Sequence, residues 1–186
     1  MKLASYNCNG FSSNSQYASK LLSQVDVLLL QEHWLYTENL SLLLDLDDYC
    51  NFHAVCGMND SQEVIRGRPY GGVAIIWKNQ FDKYIEIIPS ESKRVCAILI
   101  ELEQVKCVIV NVYMPCDPRT QNIERVPEFV EVLQAIDSCI VSSGADHVIL
   151  AGDFNTDFSR NNAHSKLLSN FVTCESLINC SSVLNV

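Results

Sequence analysis

Asp153 and Asn155 are the residues whose types and spacing promise chemistry. They close the run Ile149-Leu150-Ala151-Gly152-Asp153-Phe154-Asn155, which is apolar up to a glycine and then polar at two positions two apart. In an extended chain successive side chains alternate faces, so positions two apart share one. A carboxylate placed there orients or deprotonates a water as a general base. A carboxamide beside it donates hydrogen bonds to an anionic phosphoryl oxygen. Three other apolar runs end in a polar group: Leu3-Ala4-Ser5-Tyr6 in Asn7, Val27-Leu28-Leu29-Leu30-Gln31 in Glu32, and Val108-Ile109-Val110-Asn111-Val112 in Tyr113. Glu32 has no basic neighbour in the local sequence and is the expected metal ligand, because Mg²⁺ takes one or two carboxylates together with waters and phosphate oxygens. Asn7 either donates to phosphate or coordinates the metal through its carbonyl oxygen, and Tyr113 offers a hydroxyl to phosphate. The expectation is that these four strand ends meet in one metal-dependent phosphoester site, at the carboxyl edge of a sheet where ligands of α/β proteins sit.

The elements that must position these residues are legible as periods. Residues 2–7 and 26–31 read as strands, the second covered on both faces. Between them a short helix capped by Asn14 or Ser15 turns Ala18, Leu21, Leu22 and Val25 inward. Residues 38–46 read as a second short helix, and Tyr49 to Cys56 as a strand with Phe52, Ala54 and Cys56 on one side. Residues 57–70 are polar and read as a long loop, in which Arg66 and Arg68 are either phosphate contacts or solvated charge. Gly71-Gly72 opens a strand at Val73–Trp77. Strands at 84–88, 95–103 and 105–113 follow, the last two joined by a tight antiparallel hairpin at Gln104. Arg94, just before the second of these, reaches phosphate or serves the structure. Pro127 suits the first turn of a helix bearing Phe129, Val132, Leu133, Ile136, Cys139 and Ile140 at helical spacing. His147 starts the strand that ends at Asp153, and Asn161 or Asn162 caps a last helix. Hairpins lying between βα units predict mixed rather than all-parallel sheets.

Composition narrows the class. A chain of 186 residues favours one domain, and 48% hydrophobic with 19% charged residues suits a packed core. No apolar run reaches membrane-span length and the first residues are too polar for a signal peptide, which predicts an intracellular protein, cytoplasmic or nuclear. Nine cysteines, an odd number without a CxxC pair, read as reduced core hydrophobes rather than a disulfide framework. A net charge of −9 argues against nucleic-acid binding by bulk electrostatics and suits carboxylates gathered around a divalent cation. His33, next to Glu32, is expected to point away from the site on strand geometry.

The pieces Ser5-Tyr6-Asn7-Cys8-Asn9-Gly10, Leu30-Gln31-Glu32-His33, Gly71-Gly72-Val73-Ala74-Ile75, Asn111-Val112-Tyr113-Met114-Pro115 and Gly152-Asp153-Phe154-Asn155 resemble, in order and spacing, the endonuclease/exonuclease/phosphatase superfamily with its DNase I-like fold. Gln31-Glu32-His33-Trp34-Leu35 and Asn111 to Pro115 are most similar to the endonuclease domain of non-LTR, LINE-type retrotransposons, which nicks DNA to prime reverse transcription. The resemblance implies an α/β (α+β) four-layer sandwich, two mixed sheets face to face with helices outside. It implies Mg²⁺ or Mn²⁺ at Glu32 with Asn7 near metal and phosphate, Tyr113 on phosphate, and Asp153 positioning the attacking water. Asn155 would hold the phosphoryl group or that aspartate. DNA would be the substrate and a reverse transcriptase domain a partner in the full-length protein. The family closes its site with a C-terminal Ser-Asp-His motif, and nothing of that kind follows Asn155 before Val186. The expectation is therefore that residues 1–186 are the N-terminal portion of the domain, without its last strands and impaired in catalysis. A phosphatase acting on a small phosphoester or phospholipid head group, and a non-catalytic remnant, are the other readings of the same residues.

Overall fold

The computed structural model describes residues 1–58, 69–116 and 125–180. Among these residues, eight strands form two four-stranded mixed sheets. In the first, β1 (Leu3–Asn7) lies parallel to β2 (Val27–Gln31), followed by β4 (Val73–Lys78) and β3 (Cys50–Val55), both pairings antiparallel. In the second, β5 (Ile85–Ile88), β6 (Val95–Leu102) and β7 (Val105–Tyr113) run antiparallel, and β8 (His147–Asp153) is parallel to β7. Each parallel pair needs a crossover, and each gets a helix: α1 (Phe11–Leu22) between β1 and β2, and α2 (Arg125–Ser143) between β7 and β8. A third helix, α3 (Ala163–Cys174), follows β8.

Three apolar clusters correspond to the three interfaces of a four-layer sandwich. Leu28, Leu30, Ala74 and Ile76 face α1 through Ala18 and Leu22. Val108, Val110 and Val112 face α2 and α3 through Phe129, Ile136 and Leu168. Between the sheets lie Leu29, Val73, Ile75, Cys96, Ile98 and Ile109. The central strands β2, β4 and β6 are apolar on both sides because each of their faces meets another layer.

Several local expectations differ from the structure. Residues Thr37–Leu46 are a 3₁₀ segment rather than an α-helix: its leucines bury only Leu43 and Leu46, too narrow a stripe for a regular helix face. A second 3₁₀ segment, Asn79–Tyr84, takes the first residue assigned to the strand that begins at Ile85. Helix α1 starts at Phe11, not after Asn14. Asn14 instead donates from Nδ2 to the carbonyls of Cys8 and Gly10 (2.8 and 3.2 Å), tying the first turn to the end of β1. The hairpin at Gln104 has both turn residues at positive φ, Glu103 at 51° and Gln104 at 69°, the mirror-image turn that matches strand twist. Asn162 caps α3, accepting from Ser165 N at 2.8 Å in a capping box. No disulfide forms among the described residues, and Cys8, Cys96 and Cys139 are buried. No helix among them is long and apolar enough to cross a membrane.

Gly152 shows how tightly the parallel pair β7–β8 is drawn together. It sits opposite Val112 at φ 136°, and a Cβ there would collide with the Val112 carbonyl oxygen. Gly152→Ala is expected to destabilise the protein by about 2 kcal/mol through strain and displaced backbone. Urea unfolding of the variant against the wild type measures the loss, and an unchanged midpoint would contradict this packing.

Candidate active site

The two parallel pairs bring their carboxyl ends to one edge of the sandwich. Asn7 is in register with Gln31, and Tyr113 with Asp153. The loops beyond are stitched by backbone bonds: Cys8 N to Gln31 O (2.9 Å), Gly10 N to Glu32 O (2.8 Å) and Met114 N to Asp153 O (2.8 Å). Asn7 and Glu32 therefore belong to one sheet, Tyr113 and Asp153 to the other, and the four meet where the sheets face each other.

Asn7 is the bridge. Its Nδ2 donates to Glu32 Oε1 and to Asp153 Oδ2, each at 2.8 Å. Glu32 Oε2 accepts from Trp34 Nε1 at 3.3 Å. Tyr113 presents its hydroxyl to Glu32; burial first, then the charge of Glu32, pushes the phenol above its ordinary value, so it stays a protonated donor. Asp153 Oδ1 accepts from Asn155 N at 3.0 Å. Extended geometry stops at Asp153, and Asn155 sits at φ 50°. Asn155 reaches Asp153 through its backbone and holds Met114 O with Nδ2 at 2.9 Å, so one carboxamide N–H is already committed.

Glu32 itself lies at φ 55° and Trp34 at φ 58°, left-handed positions that cost energy for residues with side chains. His33 holds this curl in place. It is 1% exposed, with Nδ1 accepting from Leu35 N at 2.9 Å and Nε2 beside Val55 O at 3.1 Å. Its ring fills the space that a Cβ on Gly72 would need. His33 thus points away from the site, and burial pushes its pKa down to about 4.

Arg94 brackets Tyr113. Its carbonyl accepts from Tyr113 N at 2.9 Å, its Nη1 donates to Tyr113 O at 3.3 Å, and its guanidinium lies 5.2 Å from the ring centroid. Nε and Nη2 both reach Glu128 Oε1 on α2, at 2.9 and 2.8 Å. Arg94 and Tyr113 line a cleft of about 540 Å³ that runs from Gly71 and Gly72 to Glu128 and Val132. Arg66 and Arg68 lie outside the described residues. His147 stands at the far end of β8, and His164 is stacked on Phe129 at 4.3 Å, so neither meets the cluster.

Sequence reasoning missed Trp34, Glu128 and the buried amides Gln31 and Asn111. Trp34 stands two residues after Glu32, the spacing that shares a face in an extended chain, but a tryptophan there reads as packing, and its Nε1 reaches Glu32 through two left-handed residues. The amides did leave a signal: polar residues inside otherwise apolar strands.

No group of three His, Cys, Asp or Glu side chains capable of holding a metal occurs among the described residues. The donor set offered is the two neighbouring carboxylates of Glu32 and Asp153, which fits Mg²⁺, a cation that keeps several waters and takes only one or two carboxylates from protein; Asn7 turns its Nδ2 to them and its Oδ1 to Asn9 N at 3.1 Å.

Residues 4–174 match the Endonuclease/Exonuclease/phosphatase family, and the chain belongs to that family. Its chemistry is hydrolysis of nuclease or phosphodiesterase type. Similar solved structures include the APE2 catalytic domain of Xenopus laevis (TM-score 0.64, 19% identity, 92% of this chain and 67% of that one). The 3′ phosphatase NExo from Neisseria, solved bound to a product DNA hairpin, aligns with TM-score 0.62 and 16% identity over 93% of this chain and 70% of that one. The endonuclease domain of TRAS1, a telomere-specific non-LTR retrotransposon, aligns with TM-score 0.57 and 14% identity over 92% and 69%. At such identities the likeness is one of fold. A search of curated proteins finds no match to this chain.

The His33 environment carries a pH dependence. A histidine held neutral has an ordinary value near 6.5 when unfolded and about 4 when folded. Between those values the unfolded chain binds a proton that the folded one refuses, so stability is full above about pH 6.5 and falls as pH drops toward 4. Urea midpoints measured from pH 7 to 4 should fall more steeply in the wild type than in His33→Asn. Parallel slopes would contradict the assignment.

Proposed function

We propose that this chain is a divalent-metal-dependent DNA endonuclease of the non-LTR retrotransposon type, with Glu32 and Asn7 at the metal, Asp153 as base, and Tyr113 and Asn155 at the phosphate. The observation that carries this reading is the Asn7 carboxamide shared by Glu32 and Asp153. Two carboxylates from opposite sheets repel each other, and holding them against one donor makes a seat that a cation would complete. Mg²⁺ (or Mn²⁺) bound there supplies positive charge to a phosphodiester oxygen and acidifies a bound water. The chain's own residues do the rest. Asp153, fixed by Asn7 and by Asn155 N, is restricted to a few orientations and receives the proton of the attacking water. Tyr113, kept protonated, donates to a phosphoryl oxygen, and the free N–H of Asn155 adds a second donor.

The cleft beside Tyr113 gives room for a nucleotide flanking that phosphate. Retrotransposon lineage rests on the wording of Gln31 to Leu35 and of Asn111 to Pro115, together with the TRAS1 likeness. A reverse transcriptase domain in the same polypeptide is part of the reading.

None of the chain's four histidines stands at the cluster. His33 is locked under Gly72, His53 is mid-strand in β3, and His147 and His164 lie as described above. A phosphate-contacting histidine is worth several kcal/mol to such a reaction, so residues 1–186 alone are expected to turn over about 10²–10⁴-fold more slowly than a site that has one.

Relaxation of supercoiled plasmid tests this. Residues 1–186 should nick weakly in Mg²⁺ and not at all in EDTA or as Glu32→Ala, and Mg²⁺ binding by calorimetry should vanish in Glu32→Ala. Hydrolysis of a small phosphoester without nicking would favour a phosphatase instead, and no Mg²⁺ binding at all would leave a non-catalytic remnant.

A further inference from the structure

The site is divided between two sheets that share no backbone ladder. What sets their offset is then a question of side chains. Most of the interface is aliphatic, with Leu29, Val73, Ile75, Ile98 and Ile109 in the middle. Apolar contact is non-directional and says little about whether one sheet slides over the other by a fraction of a residue. A metal seat tolerates no such slide.

Two carboxamide side chains interrupt this interior directly beneath the site, and elsewhere in it the Cys96 thiol crosses to His53 O at 3.2 Å. Gln31 closes β2, one residue before Glu32, and is 1% exposed. Asn111 lies on β7, two residues before Tyr113, and is fully buried. Asn111 Nδ2 crosses to the other sheet and donates to Leu30 O and Ala74 O, both at 2.8 Å. Asn111 Oδ1 accepts from Gln31 Nε2 at 2.7 Å, and Gln31 Nε2 also donates to Ser5 Oγ on β1 at 3.1 Å. One carboxamide of the second sheet is thus bonded to β2 and β4 of the first, and through Gln31 to β1. These bonds are directional, short and shielded from water, and a small slide breaks all of them at once.

We infer that the Gln31–Asn111 amide pair is the register key between the two sheets, positioning Glu32 and Asn7 of one against Tyr113 and Asp153 of the other. Neither residue touches the reacting atoms; both act through the residues that follow them in the chain. The inference rests on the metal reading of the site, and its test separates the two.

The double substitution Gln31→Met with Asn111→Leu removes both amides together, so no buried amide is left without its partner. A role confined to stability would leave metal affinity alone. The expected result is a folded protein whose Mg²⁺ affinity, by calorimetry, falls about tenfold or more, the range seen when groups that orient metal ligands are lost. The Asn7 carboxamide resonances in a ¹H–¹⁵N spectrum should move away from their wild-type positions. A folded double variant with wild-type Mg²⁺ affinity and unmoved Asn7 signals would overturn the inference. If the double variant does not fold, Gln31→Met alone keeps both Asn111 donors bonded and serves in its place, with a weaker drop in affinity expected and an unchanged affinity decisive against the key. A wild-type protein that binds no Mg²⁺ would sink the metal reading; the Asn7 resonances would then decide the register key alone.

Discussion

A single carboxamide, that of Asn7, lies between the carboxylates of Glu32 and Asp153, and those carboxylates come from opposite sheets of the sandwich. Like charges at that separation push the sheets apart at their carboxyl edge. Everything around the cluster resists that push. The parallel pairs are closed by helices, the loops are stitched to one another by backbone bonds, and β7 and β8 approach so closely at Gly152 that no side chain fits. The strain visible at Glu32 and Trp34, both left-handed, falls on one of the two carboxylate residues and on the indole that donates to it.

Support for the site comes in layers with different physics. Beneath it, buried amides make directional contacts across an otherwise oily interface. To one side, His33 is neutral because it is buried, and its two ring nitrogens serve backbone groups rather than chemistry. To the other side, Arg94 is spoken for by Glu128 and by Tyr113, a charge held in a fixed orientation on the cleft wall. The negative net charge of the chain accords with this arrangement, in which Arg94 is already paired and the anionic seat calls for a cation from solution.

The fold and much of the cluster were legible in the sequence. Apolar runs ending in Asn7, Glu32, Tyr113 and Asp153 marked four strand ends, because a buried strand must be apolar and its exit need not be. The helix around Phe129 and Ile136 and the cap at Asn162 followed from periodicity and capping chemistry. The 3₁₀ segment at Thr37–Leu46 was not legible as such, since leucine spacing is similar in a short α-helix, and only the structure shows that Leu43 and Leu46 alone are buried. Helix α1 begins earlier than Asn14, which looks like a cap in sequence, because the Asn14 side chain bonds backward to the carbonyls of Cys8 and Gly10 in the turn after β1.

The sequence by itself determined which apolar runs form the central strands and which polar groups stand at strand ends, since both follow from local pattern. Only the tertiary structure decided that Asn7 reaches Asp153, 146 positions away, that Trp34 folds back onto Glu32, that Asn155 turns out of the strand direction, and that Arg94 spends its charge on Glu128. The physical reason is that hydrophobic period fixes a side chain's face but not its partner. Partners depend on the offset between two sheets that share no ladder, and that offset is set by side-chain contacts that no local window of sequence contains.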